Sequence, residues 1–99
     1  MNINEAIEIL NKNFGREYSI PEEFRTQEVY DKYFKLCKDI YHIPSKYLTQ
    51  DMCNEYFKIT KEIYDIPPQY ITEDMVDEFN KLFRQKLNLS DIQQNLSLN

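Results

Sequence analysis

The sequence predicts an all-α protein, a short solenoid-like array of helical repeats, and three observations predict it. The phrase Ile-Pro-x-x-aromatic-x-Thr occurs three times. It reads Ile20-Pro21-Glu22-Glu23-Phe24-Arg25-Thr26, Ile43-Pro44-Ser45-Lys46-Tyr47-Leu48-Thr49 and Ile66-Pro67-Pro68-Gln69-Tyr70-Ile71-Thr72. The copies lie 23 residues apart, from 20 to 43 to 66. Each is followed by apolar residues at helical spacing. A fixed period in this range marks a repeat architecture in which each unit touches only its neighbours. An ordinary helical bundle with coincidental spacing is the competing reading, and so few units could still close into a bundle-like shape.

The first element is a capping helix over residues 1–14, within an N-terminal cap of residues 1–19. Asn2 or Asn4 can cap it. Ile3, Ile7, Leu10 and Phe14 form one apolar stripe, while Asn4, Glu8, Asn11 and Gly15 leave the adjacent stripe polar or bare. Such a helix has a neighbour on one side and water on the other. Gly15 is a candidate left-handed stop.

Three repeats follow, at 20–42, 43–65 and 66–88. In each, the proline has a fixed φ and no N–H, so it opens a short helical turn. The threonine then caps a longer helix, over roughly residues 27–41, 50–64 and 73–87. The first long helix carries Val29, Tyr33, Leu36 and Ile40 on one stripe and Tyr30, Phe34, Cys37 and Tyr41 on the next. The second carries Met52, Tyr56, Ile59 and Ile63, then Cys53, Phe57, Thr60 and Tyr64. The third carries Met75, Phe79 and Leu82, then Val76, Phe83 and Leu87. Adjacent stripes lie about 100° apart, so each helix can touch a neighbour on each side. Leu89-Ser90 falls where a fourth Ile-Pro would stand, so residues 89–99 read as a degenerate cap, through Ser90, Asp91 and Ile92, and a frayed tail.

Composition bounds the function. The chain has 99 residues and a net charge of −5, with 14% aromatic residues and one glycine. One small domain with a Tyr- and Phe-rich core is expected. No apolar run is long enough to span a membrane. The N-terminus lacks the features of a signal peptide, so a cytoplasmic protein is expected. The acidic balance argues against direct nucleic-acid binding, which basic patches drive. Cys37 and Cys53 are expected as free, buried thiols. His42 is the single histidine, and no Cys or His pair has ligand spacing, so no metal or other cofactor is expected. Nothing pairs a nucleophile with a base, which argues against an enzyme.

Two sets of charges recur in register. Glu28, Asp51 and Asp74 stand two residues after each capping Thr, with Glu22, Glu23 and Glu73 close by. Lys35, Lys58 and Lys81 form one basic column, and Lys38, Lys61 and Arg84 another. Acids near helix starts and bases toward helix ends complement the dipole, and pairs such as Asp31–Lys35 and Asp77–Lys81 add i,i+4 support. The functional expectation is a bipolar surface with an acidic edge opposing a basic ridge. The acidic edge, Glu22, Glu23, Glu28, Asp51, Glu73 and Asp74, is the candidate partner site. Tyr18, Tyr47 and Tyr70, in or beside the loops, are candidate contact residues.

The run Leu48-Thr49-Gln50-Asp51-Met52-Cys53-Asn54-Glu55-Tyr56-Phe57-Lys58, followed by Ile66-Pro67-Pro68-Gln69-Tyr70, resembles a helical repeat of large DNA viruses and intracellular bacteria. The resemblance covers residues 20–88. It departs in placing Tyr33, Tyr56 and Phe79 where the repeat usually has a small residue, which implies wider helix spacing. The resemblance implies a binding role and no reaction. The leading expectation is a non-enzymatic protein-binding module for a partner with a basic surface. In its sharper form it is a viral or phage inhibitor that blocks a host defence protein in the host-cell cytoplasm. The alternative is an acidic nucleic-acid mimic that inhibits a nucleic-acid-binding protein.

Overall fold

The computed structural model describes the backbone of residues 1–98 and the side chains of residues 1–85. Among them are four α-helices and no strand: α1 (Ile3–Lys12), α2 (Gln27–Cys37), α3 (Gln50–Thr60) and α4 (Glu73–Leu98). Short 3-10 turns stand at Glu17–Ser19, Glu22–Phe24, Ser45–Tyr47 and Pro68–Tyr70.

The helix starts follow from local chemistry. Asn2 caps α1, its Oδ1 accepting from the Glu5 N–H at 2.9 Å. Thr26, Thr49 and Thr72 accept from the N–H groups of Val29, Met52 and Met75 at 3.3, 3.2 and 3.2 Å. Such caps contribute about 1 kcal/mol each. Before each threonine, Pro21, Pro44 and Pro67 accept from Phe24, Tyr47 and Tyr70 N–H, all at 2.9 Å. The expected Pro-initiated turns are therefore present.

The helix ends differ from expectation. Helices α2 and α3 stop at Cys37 and Thr60, short of the expected 41 and 64. Lys38 and Lys61 take left-handed backbone angles, φ 55° and 58°, and their N–H groups donate to Phe34 and Phe57 carbonyls at 2.7 Å. A left-handed residue with a Cβ costs about 1–2 kcal/mol. The turn it makes brings Ile40 and Ile43, and later Ile66, into the core, where a buried isoleucine contributes about 1.5–3 kcal/mol. Arg84 occupies the same place in α4, but no Ile-Pro follows it. Nothing there bars the α region as a following proline does, and α4 continues past the expected end at 87 to Leu98. The tail expected at 89–99 is helical through Leu98. The side-chain roles assigned to Leu87, Leu89, Ser90, Asp91 and Ile92 fall outside the described side chains, and Asn99 outside the described residues.

The first helix is also shorter than 1–14. Phe14 and Gly15 are both left-handed, φ 57° and 73°, and Phe14 leaves the apolar stripe to stand exposed. Gly15 N–H donates to Leu10 O at 2.8 Å. A Cβ at Gly15 would lie 2.3 Å from the His42 carbonyl oxygen, so this position needs glycine twice over.

The core follows the stripes in their first two turns. Ala6, Leu10, Val29, Tyr30, Tyr33, Phe34, Met52, Cys53, Tyr56, Phe57 and Met75 are buried. Among the later stripe positions Ile40 is buried and Cys37 and Ile63 are half-buried. Leu36 and Ile59 are exposed, and so are Tyr41 and Tyr64, because the early helix stop swings them into the turn. Helix α1 packs directly on α2. Later neighbours meet through the turns and through long side chains. The molecule measures 66 × 26 × 16 Å with a radius of gyration of 18.6 Å, against about 13 Å for a compact chain of this length. Its length includes the 26 residues of α4, about 39 Å at 1.5 Å per residue.

Candidate interaction surface

Contacts between neighbouring units recur 23 residues on. The Tyr47 hydroxyl donates to Arg25 O at 2.6 Å, and the Tyr70 hydroxyl to Leu48 O at 2.9 Å. Gln27 Nε2 donates to Tyr47 O, and Gln50 Nε2 to Tyr70 O, both at 2.8 Å. Lys38 Nζ pairs with Glu55 at 2.7 Å and Lys61 Nζ with Glu78 at 2.8 Å. Each of these lysines also lies over a ring of its own helix, Phe34 at 5.8 Å and Phe57 at 5.7 Å.

These contacts decide which candidates are free to meet a partner. Tyr47 and Tyr70 are half-buried and their hydroxyls are taken. Tyr47 also stacks on Tyr30, with centroids 4.4 Å apart and planes at 10°. Both act as staples between units. Tyr18 is 71% exposed, as expected for a loop residue. Tyr41 and Tyr64, which the helical pattern assigned to an apolar stripe, are 74% and 76% exposed. Tyr18, Tyr41 and Tyr64 are themselves 23 residues apart. Each follows the carbonyl that closes a turn: Glu17 O accepts from Ile20 N–H at 3.3 Å, Ile40 O from Ile43 and Ile63 O from Ile66, both at 3.1 Å. The sequence signal is a Tyr two residues before each Ile-Pro.

The acidic candidates are all exposed. Glu28, Asp51, Glu73 and Asp74 lie in the first turns of their helices, and Glu22 and Glu23 in the turn before α2. They do not stand opposite a separate basic ridge. Lys35 and Asp51 line one groove of about 290 Å³ between α2 and α3, floored by Phe34 and Met52. Lys58 and Asp74 line its counterpart of about 320 Å³ between α3 and α4, floored by Phe57 and Met75. The reason is a stagger. Neighbouring helices are offset along their axes. Lys35 and Lys58 stand in the last turns of α2 and α3, and Lys38 and Lys61 just beyond them pair with Glu55 and Glu78. Each last-turn base therefore shares a groove with the first-turn acid of the next helix. Of the second basic column, Lys38 and Lys61 are spent on those pairs. The expected Asp31–Lys35 pair is absent among the described ion pairs; Asp31 accepts from Gln27 Nε2 at 2.8 Å instead. Glu28 is partnered by Lys32 at 3.6 Å. Asp51 and Asp74 have acids, Glu55 and Glu78, at that i+4 place, and no ion-pair partner among the described residues.

Both cysteines are free. Cys53 is buried, and burial alone pushes its thiol up to about 11. Cys37 is only half-buried, against the expectation of full burial; burial pushes its pKa up, and its Sγ–H donates to Asp39 O at 3.4 Å, drawn out by the turn after α2. No helix is long and apolar enough to cross a membrane among the described residues. The chain matches no family model, no curated protein and no solved structure.

Proposed function

We propose that the chain is a short solenoid-like array of 23-residue helical repeats that acts by binding a protein, not by catalysis. The observation that carries this reading is the recurrence of exposed side chains. Packing explains why buried positions repeat. It does not explain why Tyr18, Tyr41 and Tyr64 are each more than two-thirds exposed, or why Asp51 and Asp74 face solvent over equivalent grooves. Repeated surface positions suit a partner that contacts several units at once. The partner has a basic surface, since the net charge of −5 steers cations toward the molecule. The resemblance to repeats of large DNA viruses favours a viral or phage inhibitor of a host defence protein, acting in the host cytoplasm. The nucleic-acid-mimic alternative is weakened by Lys35 and Lys58, whose charges interrupt the row of acids where a phosphate mimic needs one sign.

The test uses the whole tagged chain as bait in host lysate, with mass spectrometry of what it retains and calorimetry on the purified partner. Asp51→Asn with Asp74→Asn keeps the fold, at a dipole cost under about 1 kcal/mol each. Binding of that double variant should be weaker and less dependent on salt. Wild-type binding at both low and high salt would show that the acids only serve their helices.

A further inference from the structure

A further groove lies between the end of α3 and α4. It has a volume of about 530 Å³ and is walled by Lys61, Glu62 and Tyr64 on one side and Phe79 and Phe83 of α4 on the other. Its openness follows from the straight course of α4. Tyr56, the equivalent of Phe79, is 6% exposed, and its hydroxyl donates to Asp65 at 3.0 Å because the chain turns back after α3. Helix α4 makes no such turn, and Phe79 is only half-buried.

The wall has a specific chemistry. Tyr64 stands edge-on to Phe79, with centroids at 5.5 Å and planes at 88°. Phe79 and Phe83 are near-parallel, at 6.5 Å and 13°. Tyr64 is 76% and Phe83 51% exposed. Among the described lining residues the cation is Lys61, which is held by Glu78 at 2.8 Å and sits over Phe57. Glu62 is exposed, with no ion-pair partner among the described residues. Two exposed rings, backed by half-buried Phe79, stand beside a carboxylate with no ion-pair partner among the described residues. They complement a guanidinium, which is planar, weakly hydrated, stacks on ring faces and pairs with carboxylates through a fork of donors.

We infer that this groove takes an arginine side chain of the protein partner, its guanidinium against Tyr64 and Phe83 and paired with Glu62. The inference rests on the proposal of a basic protein partner and adds where one of its residues anchors.

The probe is a fluorescein-labelled nonapeptide rich in arginine, with a counterpart in which citrulline replaces every arginine, keeping the shape and removing the charge. Fluorescence anisotropy is measured on the whole chain at low and physiological salt. Tyr64→Leu and Glu62→Gln alter exposed side chains, and circular dichroism verifies that both variants are folded. The arginine peptide binds more tightly than the citrulline peptide. Glu62→Gln weakens it about two- to five-fold, and Tyr64→Leu about three- to thirty-fold. Equal binding of the two peptides overturns the inference. So does arginine binding unchanged in both variants, which leaves the basic-partner reading standing with its site elsewhere. No arginine binding by the wild type at low salt overturns both.

Discussion

Removing the hydroxyls of Tyr47 and Tyr70 tests whether neighbouring units are held by the same bond. Phenylalanine at either position keeps the ring and deletes one donor, aimed at Arg25 O at 2.6 Å or Leu48 O at 2.9 Å. A net hydrogen bond contributes about 0.5–1.5 kcal/mol. Each variant should therefore lose about 1 kcal/mol, which lowers Tm by about 4–8 °C for a domain of this size. The double variant should lose about 2 kcal/mol, because the two bonds share no partner and distant effects add. Alanine separates the two sites. Tyr47 stacks on Tyr30, whereas the residue equivalent to Tyr30 in the next unit is Cys53, which offers no ring. Tyr47→Ala should exceed Tyr70→Ala by about 0.5–1.5 kcal/mol, the contribution of an aromatic pair beyond its area. The assay is urea unfolding followed by circular dichroism, with the slope on denaturant checked for constancy. Unequal losses for the two Phe variants, or equal losses for the two Ala variants, would refute the assignment of shared hydroxyl bonds and unshared stacking.

Gly15→Ala should be destabilising by about 2–4 kcal/mol, read by thermal melting, since it combines a left-handed backbone with a Cβ against the His42 carbonyl. Stability should fall as pH rises above 10, measured by urea midpoints across alkaline pH. Burial is the first cause that pushes Tyr33 and Tyr56 up to about 12, while their unfolded value is 10.0. Above pH 10 the unfolded chain therefore binds fewer protons than the native one, and the stability present below that pH is progressively lost toward 12. Native-state thiol labelling should be faster at half-buried Cys37 than at buried Cys53, followed by mass spectrometry; equal rates would misplace the α2 turn. Thr49→Ala should cost about 1 kcal/mol through loss of its cap, seen in the same melts.

The candidate site was legible only in part. The acids were readable because a helix start is a local matter, signalled by Thr and the carboxylates after it. Asp51 and Asp74 occupy the first turns where the sequence placed them. Their surroundings were not readable, because the stagger that carries Lys35 to Asp51 arises between helices. Tyr47 and Tyr70 looked available beside a loop, yet their hydroxyls reach carbonyls 22 residues earlier. Tyr41 and Tyr64 fitted a helical stripe, yet the helix had already ended.

By itself the sequence determined the helical class, the 23-residue spacing of the Ile-Pro phrases and where each long helix begins. Those features depend on proline's fixed φ, on threonine caps and on apolar periodicity, all of which act within a few residues. Tertiary structure decided where the helices end and which tyrosines face water. Lys38, Lys61 and Arg84 are similar residues at one repeat position, yet the first two turn left-handed and α4 runs on through the third. A left-handed lysine is unfavourable alone and is offset only where the following isoleucines reach the core and a glutamate of the next helix receives the ammonium. That balance is set by residues 17 positions away for the ion pairs, beyond the reach of any local pattern.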